Sequence, residues 1–151
     1  MLDTATVTWS QPSTYKLTGV HHGYRTAPAN IDDLDLYSVD DRAVKAWWGM
    51  LEPGGFIVPH IDASPWFVRW HYPIEPAGYI WQLGATGFDG VTVESPSEPF
   101  EIRHYEPHAV WNPGPARRVH LIIELSERVP GDSGLVMCGM LPEIQELIDA
   151  I

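Results

Sequence analysis

The sequence predicts an all-β fold, a sandwich or small barrel of the double-sheet jelly-roll kind. Two observations carry this expectation. Fourteen prolines and thirteen glycines in 151 residues interrupt the chain too often for long helices and favour short strands joined by turns. Between positions 46 and 125, seven runs rich in aromatic and β-branched residues follow one another, as pleated surfaces prefer, and that many strands in so short a stretch suit a jelly roll.

The predicted strands are, in order, Ala46–Leu51, Gly55–His60, Phe67–Tyr72, Tyr79–Leu83, Gly90–Glu94, Phe100–His104 and Arg117–Leu125. The fifth follows an Asp-Gly turn signal in "FDGVTV". Ahead of the strands, the acidic segment 28–45, "PANIDDLDLYSVDDRAVK", reads as loop with one helical turn and is a candidate lid on the substrate side. The closing "LPEIQELIDAI" reads as a helix that covers the barrel or an oligomer contact. Pro142 suits a first helical position, Glu143 suits the positive end of the helix dipole, and Ile144, Leu147, Ile148 and Ile151 recur at helical spacing. No internal repeat or low-complexity run divides the chain, so residues 1–151 are expected to form a single domain, a length able to bury a sizeable core.

Charge narrows the function. A net charge of -11 at pH 7 argues against a nucleic-acid footprint and against docking on an anionic membrane. Of nine Lys and Arg residues, Arg69, Arg103, Arg117 and Arg118 fall between 60 and 120, where they are candidates for holding an anion. The single cysteine, Cys138, cannot form an internal disulfide, and its apolar surround "GLVMCGM" raises a thiol pKa, so it reads as packing. No signal peptide and no apolar run of membrane-span length are seen. A reducing, cytoplasmic setting follows as the expectation.

The candidate chemistry starts at "GGFIVPHIDAS", where His60 and Asp62 stand two apart. On a strand, such side chains share a face. The pair suits a metal or an ordinary buried hydrogen bond. His108, in "YEPHAVWNPG", supplies a third ligand type. Two imidazoles and one carboxylate form the facial triad of non-haem Fe(II) oxygenases, with positions left open for a co-substrate and oxygen. Arg118 opens the apolar strand "RVHLIIEL". A guanidinium there is costly unless it meets an anion. Its planar fork suits a carboxylate, and Glu124, on the same predicted face, stands six residues away. A salt bridge at the barrel rim is the other reading. In "FVRWHYP" Arg69 and His71 share one face, Trp70 and Tyr72 the other. The first pair suits either a carboxylate near the metal or an exposed sheet face.

The combination "LEPGGFIVPHIDAS…FVRWHYPI…EPHAVWNPGPARRVHLIIEL" resembles the aspartyl/asparaginyl β-hydroxylase family of Fe(II)/2-oxoglutarate-dependent dioxygenases, over roughly residues 46 to 126. The resemblance implies a double-stranded β-helix, the cupin-like jelly roll, with a few short flanking helices. It also implies use of O2 and 2-oxoglutarate with release of succinate and CO2. By motif, His60 and His108 match the iron-binding histidines. Arg118 matches the arginine for the far carboxylate of 2-oxoglutarate, and Arg69 and His71 match the Arg-x-His pair that helps hold the co-substrate's near end. Asp62 stands where some members have glycine, which favours a complete triad (His60, Asp62, His108) and hydroxylation over halogenation. Gly49 stands where some members have a co-substrate-binding serine, which shifts weight to Arg118.

Trp66, Trp70, Tyr72, Trp81 and Trp111 are available to line a dry shell, although aromatics at this density mostly form core. His120 shares the predicted face of Arg118 and is placed to touch co-substrate or substrate. Arg103 and Arg117 could reach a substrate carboxylate, with solvated surface as the default. His21 and His22 read as surface or loop residues. The first hypothesis is a hydroxylase acting on an amino-acid side chain, free or in a peptide. Its rivals are a non-catalytic jelly-roll binding module and a cupin-like metalloenzyme that does not use 2-oxoglutarate.

Overall fold

One long strand organises the molecule. In a computed structural model describing residues 7–30, 43–62, 68–82, 91–102, 106–125 and 136–151, β2 (Ala43–Ile61) pairs with four other strands. Its first half lies against β8 (Arg118–Leu125), from Ala43 opposite Leu125 to Leu51 opposite Arg118. Its second half lies against β7 (His108–Trp111). The remaining strands are β1 (His21–Pro28), β3 (Val68–Glu75), β4 (Tyr79–Gln82), β5 (Val91–Glu94), β6 (Phe100–Ile102) and β9 (Val136–Met137). The sheet order is β5-β4-β7-β2-β8-β3-β6, every pairing antiparallel, with β1 and β9 also on β2. The sheet therefore has two leaves, β6-β3-β8 and β7-β4-β5, both joined to β2. It is a jelly roll, as expected.

The turn between leaves is made inside β2. The sequence reading puts two strands there, Ala46–Leu51 and Gly55–His60, whereas a single element runs through. Glu52–Gly55 bulges out: β1 spends only Gly23 between the partners of Leu51 and Phe56. Gly54 takes φ +84 and Gly23 φ +66, a region L side chains avoid. A Cβ on Gly55 would sit 2.9 Å from the carbonyl oxygens of Glu52 and His22. Asn112 fastens the bulge to β7. Its backbone N–H donates to the Gly55 carbonyl, its carbonyl accepts from the Gly54 N–H, and its side-chain Nδ2 donates to the Leu51 and Ala116 carbonyls.

Three strands escape the sequence reading. β1 hides behind Gly23 and two histidines. β7 is only four residues, closed in by Pro107 and Asn112-Pro113. β9 has two residues. Ala43–Lys45 belong to β2 and Pro28 to β1, which corrects the loop assignment at the ends of segment 28–45. Its middle, residues 31–42, lies outside the described residues, as do Trp66, Arg103 and His104.

Alternation along β8 divides its side chains. Val119, Leu121, Ile123 and Leu125 pack with Ala46, Trp48 and Met50, and Trp70 and Tyr72 of β3 join them. The even positions face the interior between the leaves. On the other leaf, Phe56, Val58, Ala109 and Trp111 form a second cluster, capped by α2 (Pro142–Asp149) through the fully buried Ile144. The terminal helix is thus present where expected and covers the barrel. Leu147 and Ile148 pack against it, while Ile151 is half exposed. A short α1 (Tyr15–Thr18) precedes β1. Among the described residues no helix is long and apolar enough to cross a membrane.

Candidate metal centre and anion pocket

The interior between the leaves is a cavity of about 360 Å³, lined by residues from β1, β2, β3, β6, β7 and β8. It brings together His60, Asp62, His108, Arg69, His71, Arg118 and His120.

His60 and His108 are direct cross-strand partners of β2 and β7, and their ring centroids are 4.3 Å apart. The β2–β7 register shifts between Ile57 and His60. That irregularity turns His60 to the cavity face already used by Ile57, against strict alternation. Asp62 follows on the same side, as the spacing of two predicts. Its Oδ2 lies 3.3 Å from His60 Nε2 and 3.5 Å from His108 Nε2. The three ligand atoms lie within 4.8 Å of one another, a group that could hold a metal ion.

The tautomers follow from the backbone. His60 Nδ1 is 2.6 Å from the Val58 carbonyl and His108 Nδ1 is 2.8 Å from the Glu106 carbonyl. A carbonyl only accepts, so each Nδ1 carries the proton, and in the neutral rings each Nε2 presents a lone pair to Asp62. Burial raises the Asp62 pKa. Protonated at Nε2, His108 and His60 donate to this carboxylate, and those bonds, with the charges of protonated His60 and of Arg69, outweigh burial and hold the carboxyl well below the usual range in the metal-free protein. Burial, aided by the charge of His60, lowers His108 despite its bonds to Asp62 and the Glu106 carbonyl. Two imidazole nitrogens and an ionised carboxylate oxygen converging on one buried spot are a donor set for a divalent ion, and they fit Fe(II).

The two arginines have different fates. Arg69 donates from Nη1 to Asp62 Oδ2 at 2.7 Å and from Nε to Glu124 Oε1 at 2.8 Å. Glu124 therefore pairs with Arg69 and is not the partner of Arg118. Arg118 is buried, 6 % exposed. Its one hydrogen bond among the described residues runs from Nε to Ser95 Oγ at 3.3 Å, and its Nη2 is buried without a partner. Burial pushes this guanidinium down to about 9, with only the charge of Tyr24 opposing. Arg117, by contrast, is an exposed ion pair with Glu75, the surface default expected of it.

His71 and His120 face each other beside Arg118, Nδ1 to Nδ1 at 3.2 Å. Burial, then the charge of Arg118, holds both well below the usual histidine range. Neutral rings share one proton across that contact. Trp70 and Trp81, offered as shell residues, do not line the cavity. Each packs against a hydrophobic cluster outside it.

Some site residues were not legible. His21 is a strand residue lining the cavity, not surface or loop, and its buried Nδ1 has no partner among the described residues. Its neighbour His22 turns the other way, stacking on Phe56 and accepting from the Tyr15 amide. Adjacent positions on a strand diverge in this way, and the pair did signal that no single metal takes both. Tyr24 also lines the cavity. Its Oη is 2.9 Å from where a Gly49 Cβ would lie, so the tyrosine fills space that a serine at 49 would need. Ser95, beside Arg118, carries no sequence signal.

Comparison with solved structures agrees on architecture. A predicted oxalate decarboxylase from Thermotoga maritima superposes with a TM-score of 0.56 at 13% identity, over 83% of this chain and 98% of that one. A cupin-2 domain protein from Rhodospirillum rubrum gives 0.56 at 10% identity, over 100% and 86%. The polyketide cyclase RemF from Streptomyces resistomycificus gives 0.54 at 15%, over 97% and 89%. The fold is a jelly-roll cupin. No family model matches the sequence, and no curated protein matches it significantly.

Proposed function

We propose that this protein is an Fe(II)- and 2-oxoglutarate-dependent dioxygenase of the aspartyl/asparaginyl β-hydroxylase kind. It hydroxylates an unactivated C–H bond of an amino-acid side chain, free or in a peptide. The observation that carries the reading is the pairing of two features in one cavity: the His60, Asp62 and His108 donor set, and a buried Arg118 whose Nη2 has no partner among the described residues. A keto-diacid has one end for each.

In this reading His60, Asp62 and His108 hold the iron. With 2-oxoglutarate and O2 bound, the iron supplies oxidative decarboxylation, which releases succinate and CO2 and oxygenates a C–H bond. The Val58 and Glu106 carbonyls fix both imidazoles as Nε2 donors. Arg118 receives the far carboxylate, exchanging a desolvated charge for a charge-assisted pair. The neutral His71–His120 pair offers hydrogen bonds beside it without adding charge. Val110, Ile57, Ile102 and Ile122 line the same cavity and keep the reacting centre dry.

A second reading is a cupin metalloenzyme that binds a small carboxylate without 2-oxoglutarate, favoured by the likeness to a predicted oxalate decarboxylase. The deciding experiment is the visible spectrum of the protein mixed anaerobically with Fe(II) and 2-oxoglutarate. A weak charge-transfer band of the chelated keto acid, lost in Asp62→Ala and weakened in Arg118→Ala, is expected. Bound iron with no band would overturn the dioxygenase reading in favour of the second. Absence of metal binding would leave a non-catalytic jelly roll.

A further inference from the structure

We propose that Arg69 is a positioning residue for the metal ligand Asp62, held in place by Glu124, and not a contact of the co-substrate. This rests only on the metal-binding part of the proposed function. It departs from the co-substrate role that the Arg-x-His motif implies.

Three contacts fix the Arg69 guanidinium. Arg69 in β3 stands opposite Glu124 in β8, and its Nε donates to Glu124 Oε1 at 2.8 Å. Its Nη1 donates to Asp62 Oδ2 at 2.7 Å. Its Cζ lies 5.5 Å from the Trp47 ring centroid, within cation–π range. The oxygen it grips is the one that faces both imidazole Nε2 atoms at 3.3 and 3.5 Å. Asp62 lies one position past the end of β2, outside its strand pairing. The guanidinium holds its carboxylate instead.

The clamp also ties two strands together, because one guanidinium bridges Asp62 at the end of β2 and Glu124 in β8. Glu124 is 6 % exposed and within reach of the same guanidinium. Only a planar fork satisfies both acids at once, and lysine, a point charge on a flexible stem, does not. Outer partners of this kind set ligand orientation and are worth about 10–100-fold in metal affinity.

The test is an anaerobic Co(II) titration followed by the visible d–d absorption, with no 2-oxoglutarate present. Wild type, Arg69→Ala, Arg69→Lys and Glu124→Gln are compared, each checked for folding by circular dichroism. Arg69→Ala is expected to bind Co(II) ~10–100-fold more weakly with a changed band. Arg69→Lys should recover little, and Glu124→Gln, which keeps a neutral acceptor, should fall between. Were Arg69→Ala unfolded, the lysine and glutamine variants retain a buried polar partner and decide the matter on the same readout. At saturating Co(II), 2-oxoglutarate affinity by calorimetry should fall far more in Arg118→Ala than in any Arg69 variant. Wild-type Co(II) affinity and spectrum in the Arg69 variants, with 2-oxoglutarate binding lost, would overturn the proposal and return Arg69 to the co-substrate. Wild type that binds Co(II) but not 2-oxoglutarate would defeat the dioxygenase reading while this inference stands on the Co(II) data. Wild type that binds no Co(II) would overturn both.

Discussion

Replacing Arg118 with methionine should stabilise the ligand-free protein. Burial moves this guanidinium from 12.5 to about 9, which at ~1.36 kcal/mol per pKa unit corresponds to about 5 kcal/mol against the charged form. No carboxylate offsets that cost among the described residues, and Nη2 is unpartnered. The substitution forfeits the bond to Ser95, worth roughly 1.5–3 kcal/mol for a charged donor. Methionine is flexible and nearly as long, so it fills the space without a large void. The difference leaves Arg118→Met more stable by about 2–3 kcal/mol. For a chain of this size that is ~4–12 °C in Tm. The assay is paired thermal melts with and without Mn(II) plus 2-oxoglutarate. Wild type should gain about 2.7 kcal/mol at a hundred times the Kd, and Arg118→Met should start higher and gain little from the keto acid. A methionine variant that melts below wild type would refute the reasoning. It would mean that the guanidinium is already paired and structural, and the anion-pocket argument would fall with it.

Other expectations follow from the same interior. The metal-free protein should lose stability as pH falls below about 6.5. His71 and His120 bind protons in the unfolded chain there but stay neutral when folded, because burial lowers both. The unfolded state then binds more protons, so stability rises with pH in that window, by up to ~2.7 kcal/mol per pH unit for two groups. Urea midpoints at pH 7.5, 6.5 and 5.5 would show it, and a flat profile would contradict the buried, neutral pair. Gly55→Ala should destabilise the fold by more than the ~1 kcal/mol of an ordinary glycine exchange, since its Cβ would meet two backbone oxygens at 2.9 Å. A thermal melt matching wild type would show that the bulge relaxes. Ile144→Ala should cost about 2–5 kcal/mol, because this side chain is fully buried under the outer leaf. An unchanged urea midpoint would mean that α2 is dispensable.

Much of this was legible from local chemistry. The spacing of two put His60 and Asp62 on one face. Alternation in "RVHLIIEL" put Arg118 and His120 on one face, and alternation in "FVRWHYP" put Arg69 and His71 on one face with Trp70 and Tyr72 on the other; the structure turns both polar pairs inward. The terminal helix was marked by Pro142 and a period of about four. What stayed hidden depends on contacts distant in sequence. The bulge at Glu52–Gly55 looks like a strand end until β1 and Asn112 are seen to hold it. β1 itself begins with two histidines and a glycine, which suppress any strand signal, so His21 and Tyr24 could not be placed in the cavity. Ser95 and the pairing choice of Glu124 are products of register, which no single strand's sequence contains.

That pairing choice is what separates the two arginines. Both sit on inward-facing positions of neighbouring strands, and both carry a charge that costs several kcal/mol if left unpaired in the interior. Along the chain, Glu124 is six residues from Arg118 and fifty-five from Arg69, which makes the first look like the natural partner. The antiparallel register reverses this. Strand β3 runs past β8 so that Arg69 falls directly opposite Glu124, whereas six residues along one extended strand span roughly 20 Å, beyond any side chain's reach. One carboxylate thus leaves Arg69 paired with two acids and Arg118 as a cation facing the cavity with no carboxylate partner among the described residues. The shared cavity then holds an arginine tied to a metal-ligand candidate and, on the same lining, a second arginine with no carboxylate partner among the described residues, the charge that the proposed function assigns to the far end of the co-substrate.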